Sequence, residues 1–393
     1  MFQIGIEHLL DHPPSRFRNA QLGILMNHAS VNRDYELSST VLAREFPGSL
    51  QVIFTPQHGL WGEQQANMIE STHAYDRSLD IPVYSLYSET RRPTEAMLDK
   101  IDCLLVDLQD VGTRVYTFIW TVLECLHACT VANKPVIILD RPNPLGGTVF
   151  EGPLVEQNYL SFVGGHAIPL RHGLTLGEIA KLFVREVGLD LDLQVVPMRG
   201  WQRQQSFHNL GRPWIWPSPN MPTLNTVFLY PGQVLLEGTN VSEGRGSTRP
   251  FELIGAPFLD ATELVDGLAQ QNFPGVHLRP TRFCPTFDKW HGHSCEGLEL
   301  IITSPNAVRS VELTVTLLFH IAFHRAKEFS WLPPPYEYEY VKPPIDILWG
   351  NDRLRTTLSK LENFESIPET VAELIQFDES SWRSRVDEVL LYH

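Results

Sequence analysis

The chain has 393 residues, of which 43% are hydrophobic, and a formal net charge of −15 at pH 7. This length and apolar content are typical of a globular protein with one large or two ordinary hydrophobic cores. Acidic residues outnumber lysine and arginine by 46 to 31, so the chain has no excess of cations with which to bind nucleic acid or an anionic membrane surface. We therefore expect neither partner.

The N-terminal sequence lacks the features of a secretion signal. Residues 1–17, MFQIGIEHLLDHPPSRF, have neither a cationic lead nor an apolar core. No apolar run in the chain approaches the length of a membrane span. We therefore expect a cytoplasmic protein unless a leader was removed. The five cysteines are odd in number and indicate no disulfide framework.

Five short apolar runs between residues 22 and 140 predict strands that are buried on both faces of a sheet. Helix-like segments separate them, and this alternation predicts an α/β fold with a Rossmann-like, doubly wound and mostly parallel sheet. No GxGxxG motif follows the first strand, so we expect no dinucleotide cofactor. The predicted strands are LGILMN (22–27), QVIFT (51–55), PVYSLY (82–87), CLLVDLQ (103–109) and PVIILD (135–140).

The remaining pattern predicts a second domain. Thr175 and Glu178 have the spacing of a capping box that begins an amphipathic helix, and LQVVPM (193–198) predicts one more strand. We place the domain boundary near residue 205, which gives a first domain over 1–205 and a second, α+β domain over 206–393 that closes a cleft against it. The second domain is predicted to contain a helix near 260–271, strands near 276–283 and 298–303, a helix over about 308–327 and two C-terminal helices.

Polar residues follow the carboxyl ends of the predicted strands. In open α/β sheets ligands bind outside these strand ends, so loops that are separate in sequence converge on one place. A single residue of this kind is commonly a turn former or a helix cap, but several such loops together predict a binding site. The residues are Asn27, His28, Gln57, His58, Asp110, Arg114, Asp140, Arg141 and Asn143.

A glycine-rich segment provides a second group of polar residues. It runs from Tyr230 to Phe258, and glycines at 238, 244 and 246 let its backbone turn sharply and approach a ligand. A solvated loop would have a similar composition. We expect the part at 237–246 to lie across the strand ends of the first domain and to face His58 and Asp110. Its polar residues are Glu237, Asn240, Ser242, Glu243 and Arg245.

Carboxylates in these loops favour glycoside hydrolysis, which needs a general acid and usually a second carboxylate. The candidates are Glu63, Asp110, Glu237 and Glu243, although each is equally able to form a surface salt bridge or a helix cap. A serine nucleophile has no specific signal, because the chain has no GxSxG elbow.

One group of histidines and cysteines is a candidate metal site. His291 and His293 have the alternate spacing that would let a strand chelate a metal ion, and Cys284 and Cys295 are near them in sequence. No further ligand pattern supports this cluster, so we expect no metal.

A dozen motifs, in the same order over nearly the whole chain, resemble the exo-β-N-acetylmuramidase family of peptidoglycan-recycling enzymes. Motifs of this length and order are highly specific to the family. They include Asn27-His28, PQHGLWG (56–62), VDLQDVGTRVYT (106–117), LDRPNP (139–144), RHGLTLGE (171–178), PSPNMPT (217–223), EGTNVSEGRGST (237–248) and FCPTFDK (283–289).

The resemblance implies removal of N-acetylmuramic acid (MurNAc) from the non-reducing end of peptidoglycan fragments such as MurNAc-GlcNAc. It implies a Rossmann-like catalytic domain with a C-terminal auxiliary domain, and no metal, nucleotide or other cofactor. Together with the residue patterns it predicts the catalytic residues Glu243, Glu237, His58, Asp110 and Glu63. The predicted substrate-binding residues are Asn27, His28, Gln57, Arg114, Tyr116, Asp140, Arg141, Asn143, His172, Asn220, Asn240, Arg245 and Lys289.

One departure from the family pattern leaves an alternative open. Many relatives carry PEHG where this chain has Gln57 in PQHG. An amide cannot transfer a proton as a carboxylic acid can. If that glutamate is the acid or base of the family, a neighbour such as Glu63 has taken its role, or this protein is a non-catalytic cell-wall-sugar binding protein that has kept the cleft.

Overall fold

A computed structural model describes residues 2–65 and 69–393. The first half of the chain alternates strands and helices, as the sequence predicts. The strands are β1 (Leu22–Met26), β2 (Leu50–Thr55), β3 (Ala74–Asp76), β4 (Ile81–Ser85), β5 (Cys103–Asp107), β6 (Val136–Leu139) and β7 (Leu193–Val196). The helices are α1 (Gly5–Asp11), α2 (Ser38–Glu45), α3 (Glu95–Leu98), α4 (Phe118–Val131) and α5 (Leu176–Val187).

These seven strands form one sheet in the order β3-β4-β2-β1-β5-β6-β7. All neighbouring strands are parallel except β3, which pairs antiparallel with β4 at one edge. The chain winds outward from β1 in both directions, so the predicted doubly wound sheet is confirmed. The sequence analysis missed β3 because this three-residue strand has no apolar run, and its Ala74 and Tyr75 are exposed.

Helices cover both faces of the sheet. Successive side chains of a strand point to opposite faces, so each strand contributes to two cores. Ile24 belongs to a cluster on the face covered by α1 and α2, whereas Val106 belongs to a cluster that includes α4 and α5. Burial on both faces explains why the strands are continuous apolar runs. The predicted capping box is also confirmed, since Thr175 and Glu178 cap the start of α5.

The second half contains a small antiparallel sheet and seven helices in the described residues. Its strands are β8 (Leu253–Ala256), β9 (Val276–Phe283) and β10 (Cys295–Ile302), in the order β8-β10-β9. Its helices are α6 (Leu224–Gln233), α7 (Ala261–Gly267), α8 (Ser310–His324), α9 (Pro344–Trp349), α10 (Arg353–Leu358), α11 (Ile367–Ile375) and α12 (Glu379–Val386). None of the helices in the described part of the chain is long and apolar enough to cross a bilayer.

Two predictions for this half were wrong in detail. Four short helices, α9 to α12, occupy the region where two were expected, and Gly350 in the left-handed conformation ends the first of them. The segment from Tyr230 was expected to be a loop, but Pro231 and Gly232 lie within α6. A Cβ atom at position 232 would meet the carbonyl oxygen of Ser310 at 1.8 Å, so glycine there allows α6 to approach α8.

The two halves share one hydrophobic core. Phe118 of α4, Phe228 of α6 and Phe319 of α8 belong to the same cluster of buried side chains. The end of the chain also returns to the first half, where the Tyr392 hydroxyl donates to Asp140 at 2.6 Å. The halves are therefore held firmly against each other. The domain boundary near residue 205 stays a prediction.

Arg114 joins the two halves by hydrogen bonds. Its guanidinium is buried and donates to the carbonyls of Pro153 and Ile168 at 2.7 and 2.9 Å and to those of Leu348 and Trp349 at 2.7 and 3.0 Å. Burial lowers the pKa of Arg114 to about 9, so the side chain is still protonated at neutral pH. This single cation serves four main-chain acceptors that have little access to water.

We expect Arg114→Met to lower the free energy of unfolding by about 3 to 5 kcal/mol, because it leaves buried carbonyls without their donor. Urea denaturation followed by tryptophan fluorescence measures this change. The matched control is Arg353→Met in α10, where the arginine is exposed, and there we expect a change within about 0.5 kcal/mol. Equal effects of the two substitutions would contradict a bridging role for Arg114.

Candidate active site

A pocket lies where loops at the carboxyl ends of β2 and β5 meet the second half of the chain. Gln57 and His58 follow β2, and residues 115–117 lie in the loop between β5 and α4. The second half contributes Glu237 and Arg245 to the same pocket. The glycine-rich segment therefore faces Gln57 and His58, as the sequence predicts. The other polar or aromatic lining residues are Tyr116, Thr117, Ser218, Asn220, Tyr230, Tyr336 and Glu337.

Arg245 lies between two buried carboxylates. Its Nη2 donates to Oε1 of Glu237 at 2.7 Å, and its Nε lies 3.3 Å from Oε1 of Glu243. The second oxygen of each carboxylate has its own donor: the Tyr336 hydroxyl at 2.6 Å from Glu237, and Lys289 Nζ at 2.7 Å from Glu243. Burial acts to lower the pKa of Arg245, but the two carboxylates outweigh it and raise the pKa above its ordinary value. Arg245 is therefore a permanent cation.

Local backbone geometry explains why this segment is rich in glycine. Gly244 and Gly246 have φ angles of +81° and +78°, which place Arg245 between two left-handed residues. A Cβ atom at position 246 would also meet the carbonyl oxygen of Phe287 at 2.4 Å. The sequence predicts a loop at Glu237, and this prediction was wrong. Glu237 lies in a 3-10 helix over Val234–Gly238 that continues from α6. Helix and turn together position the two charged side chains.

His58 is a neutral imidazole at physiological pH. Burial, and to a smaller extent the positive charge of Arg245, lower the pKa of His58 to about 4, although the hydrogen bond to the Gln64 carbonyl opposes this. The Nδ1 atom lies 2.5 Å from the carbonyl oxygen of Gln64, so Nδ1 carries the proton and Nε2 has a free lone pair. His58 also has a φ of +73°, a strained conformation for a residue with a side chain.

Glu337 is a pocket carboxyl that the sequence analysis missed. Its Oε2 accepts from the Tyr87 hydroxyl at 2.9 Å. It is also hydrogen-bonded to the amide of Gln57, whose oxygen accepts from Thr117 at 2.7 Å. Burial raises the pKa of Glu337 to about 7, and the charge of Glu237 adds to the rise, whereas the bonds from Tyr87 and Gln57 oppose it.

The signal that could have indicated Glu337 is its position in WLPPPYEYEYVKPP (331–344). An aromatic, proline-rich segment of this kind is also common in rigid packed loops, and nothing in its composition connects it to the distant PQHG motif. The same segment contributes Tyr336 to the pocket. Tyr87, Thr117 and Tyr230 were missed too, because each lies within or beside an apolar run.

Asp110 lies behind Tyr116 and is not among the lining residues. Its Oδ2 accepts from Gly112 N at 2.7 Å and lies 3.5 Å from Nε2 of His172. Because Nδ1 of His172 accepts from Leu174 N, the proton of a neutral ring is on Nε2 and points toward Asp110. Burial raises the pKa of Tyr116, and the charge of Asp110 also raises it. Asp110 thus affects the pocket through its charge on Tyr116, and His172 lies beyond Asp110.

Several predicted binding residues make internal contacts. The four asparagines donate to main-chain carbonyls: Asn27 to Pro217 at 2.7 Å, Asn143 to Leu174 at 3.0 Å, Asn220 to Gln65 at 3.0 Å and Asn240 to Glu328 at 2.7 Å. Of these, Asn220 lines the pocket. The other three connect loops to one another.

Two charged residues after β6 also have internal partners. Asp140 accepts from Thr175 Oγ1 at 2.8 Å and from the Tyr392 hydroxyl, and burial raises the pKa of Asp140 to about 7. Arg141 pairs with Asp107, with 2.9 Å between Nη2 and Oδ2. With Arg114, these residues stabilise the strand ends and the contact between halves.

Glu63 and His28 lie on another side of the PQHG loop. Glu63 is exposed and lines a separate cavity next to Gly59. His28 packs on Trp216, with ring centroids 4.3 Å apart, and its pKa is lowered by burial. The structure does not bring these two residues into the pocket that contains Glu237 and Arg245.

The histidine and cysteine group has no strand geometry for chelation. His291 and His293 are exposed in the turn between β9 and β10, whereas Cys295 is buried at the start of β10. In residues 2–65 and 69–393, no three side chains of His, Cys, Asp or Glu lie close enough to hold a metal ion.

Buried carboxyl groups, a neutral imidazole and tyrosines meet in one pocket between the sheet and the second half. Glycoside hydrolysis requires two carboxyl groups in different environments within such a site. Glu237, paired with a cation, and Glu337, bonded to neutral donors, meet that requirement. Such a pair of carboxyl groups is typical of glycoside hydrolases.

Comparison with known proteins identifies the family. The models of the exo-β-N-acetylmuramidase NamZ match both parts of the chain, the N-terminal model over residues 22–225 and the C-terminal model over residues 228–392. The chain is also 40% identical, over 378 residues, to the peptidoglycan beta-N-acetylmuramidase NamZ of Bacillus subtilis strain 168. The match covers 95% of this chain and 88% of that relative. The chain therefore belongs to the exo-β-N-acetylmuramidase NamZ family.

Solved structures confirm the architecture. Two DUF1343 family proteins of Bacteroides fragilis NCTC 9343 align with 100% of this chain and 99% of their own chains. The first has a TM-score of 0.88 at 30% sequence identity, and the second has a TM-score of 0.75 at 28% identity. The two-part α/β fold is thus shared over the full length.

The low pKa of His58 makes stability depend on pH. Protonation of the ring is disfavoured in the folded state. The stability that the neutral ring contributes to the folded state is therefore fully present above the ordinary pKa of 6.5 and is lost as the pH falls toward about 4. We expect His58→Asn, which tolerates the left-handed backbone, to remove up to about 3 kcal/mol of this pH dependence. Urea denaturation across that pH range measures it.

The control for this prediction is His291→Asn, because His291 is exposed in a turn. We expect this substitution to leave the pH profile of stability unchanged. If the His58→Asn protein kept the wild-type profile, the neutral state of the buried ring would be contradicted.

Proposed function

We propose that this protein hydrolyses the β-glycosidic bond of a terminal MurNAc residue and releases MurNAc from the non-reducing end of peptidoglycan fragments such as MurNAc-GlcNAc. Family membership supports the reaction. The observation that carries the proposal for this chain is the pocket itself, in which Glu237 and Arg245 face Gln57 and His58.

Glu237 is the carboxylate that we assign to the reacting carbon. Glycoside hydrolysis passes through a transition state with positive charge at the sugar's C1, which a nearby carboxylate stabilises. The bonds from Arg245 and Tyr336 occupy both oxygens of Glu237 and fix its orientation. Glu243, whose own partners are Arg245 and Lys289, supports the position of Arg245.

Arg245 also provides a basis for selectivity toward MurNAc. MurNAc differs from N-acetylglucosamine by a lactyl ether that ends in a carboxylate. A site that prefers MurNAc therefore needs a cation near this carboxylate. Among the described residues that line the pocket, the cationic side chain is that of Arg245. Tyr230 and Tyr336 add the aromatic surface on which sugar rings pack.

The alternative function, sugar binding without catalysis, rests on Gln57. This residue is neutral, but it does not leave the pocket without carboxyl groups, because Glu237 and Glu337 are both present. The family and its Bacillus subtilis relative support hydrolysis over a purely binding role. The cytoplasmic location stays a prediction from the sequence.

We expect the purified protein to release free MurNAc from MurNAc-GlcNAc, and Glu237→Gln to lower kcat/KM by about 10³-fold, because the variant lacks the transition-state charge. Chromatography of the released sugars measures both. Glu362→Gln, at an exposed position near the C-terminus, is the matched control and should retain wild-type activity.

Two results would contradict the proposal. Folded wild-type protein that binds MurNAc-GlcNAc without releasing MurNAc would favour the binding function. A Glu237→Gln protein as active as the Glu362→Gln control would remove Glu237 from the reaction.

A further inference from the structure

Glu337 lies at the corner of a tight turn that holds it in the pocket. Tyr336 and Glu339 exchange two main-chain hydrogen bonds, each of 2.9 Å. The two residues between them, Glu337 and Tyr338, have φ angles of +42° and +69°. Turns with two such residues usually contain glycine, asparagine or aspartate there. A glutamate kept in this strained conformation beside a pocket indicates a function for its side chain.

Neighbouring side chains lock this turn. The Tyr336 hydroxyl is bonded to Glu237, and the Arg91 guanidinium lies 4.5 Å from the centroid of the Tyr338 ring. Arg91 also lies 4.2 Å from the ring centroid of Tyr87, the residue whose hydroxyl donates to Glu337. The carboxyl of Glu337 therefore has a fixed place, as a group that must meet one substrate atom requires.

The charges around the pocket favour a proton on Glu337. Four carboxyl groups, Glu237, Glu243, Glu337 and Asp288, are near two cations, Arg245 and Lys289. Full ionisation would leave two uncompensated negative charges at a largely buried site, which is unfavourable.

The hydrogen-bond partners identify which carboxyl retains the proton. Glu237 and Glu243 each contact a cation, whereas the hydrogen bonds described for Glu337 come from the neutral groups of Tyr87 and Gln57. Asp288 lies near the same carboxylates, and its pKa is raised as well, first by burial and then by the charge of Glu243. The raised pKa of Glu337, about 7, agrees with this assignment.

We propose that Glu337 is the general acid of the reaction and that Gln57 and Tyr87 are its positioning residues. The inference rests on the proposed function. Because an amide does not ionise, Gln57 donates to Glu337 at every pH at which the protein is folded, and it cannot compete for the proton.

The step is balanced by one water molecule. As the bond between C1 of MurNAc and the glycosidic oxygen breaks, its electron pair goes to that oxygen, which takes the proton of Glu337. Water then supplies a hydroxyl group to C1 and returns a proton to Glu337. The products are MurNAc and the shortened fragment, and no other reactant is needed.

The test compares two substrates with different leaving groups. In MurNAc-GlcNAc the leaving oxygen needs a proton, whereas in the 4-nitrophenyl β-glycoside of MurNAc the phenolate leaves without one. We expect Glu337→Gln to lower kcat by about 10³-fold on the disaccharide but by less than about tenfold on the aryl glycoside. On the disaccharide the wild type should lose activity as the pH rises through about 7, whereas on the aryl glycoside neither the wild type nor the variant should show this loss.

A second variant tests the positioning role. Tyr87→Phe removes a hydrogen bond that lowers the pKa of Glu337, so the alkaline limb of the disaccharide profile should move to higher pH. A purely structural role would lower activity at all pH values without moving the limb. Thermal unfolding of each variant checks that it is folded.

Three results would overturn the assignment. Equal losses of kcat on the disaccharide and the aryl glycoside with Glu337→Gln would contradict the acid role. So would a large loss on the disaccharide alone that appears with Glu237→Gln and not with Glu337→Gln. An alkaline limb unmoved by Tyr87→Phe would overturn the positioning role of that hydroxyl. Wild-type protein that cleaves neither substrate would overturn the proposed function and this assignment with it.

Discussion

The buried guanidinium of Arg245 is the constraint on which the site depends. A charge removed from water must be paired, and Arg245 meets Glu237 on one side and Glu243 on the other. Its position requires the left-handed glycines at 244 and 246. Lys289 then compensates the second charge of the network by bonding to Glu243. All four residues belong to the second half, so the pairing fixes the charged face that this half presents to the pocket that also contains His58.

The same network divides the pocket into charged and neutral groups. Glu237 faces a cation, whereas Glu337 is bonded to Gln57 and Tyr87, which are neutral. His58 is neutral as well, because burial and the nearby charge of Arg245 lower its pKa. Two carboxyl groups of one residue type thus have different partners in one pocket, a cation for Glu237 and neutral donors for Glu337, and such a difference suits the separate acid and charge-stabilising roles of glycoside hydrolysis.

The sheet was predictable because its strands are buried on both faces and are therefore continuous apolar runs. The position of His58 in the pocket that Glu237 also lines was predictable because ligands bind outside the carboxyl ends of the strands in open α/β sheets. Individual site residues were less predictable. Arg114 and Asp140 follow strands as ligand-binding residues do, but their partners are carbonyls, a hydroxyl and other internal groups. Glu337 meets Gln57 through a long-range contact that no local pattern encodes.

We propose that both halves of the chain together hold one terminal MurNAc residue. A crystal structure of the Glu237→Gln protein with MurNAc-GlcNAc tests it directly. We expect the MurNAc ring between His58 and Arg245, with the glycosidic oxygen about 3 Å from the carboxyl of Glu337. A disaccharide bound instead in the separate cavity lined by Arg141 and Trp214, or in the one lined by Glu63, would contradict it.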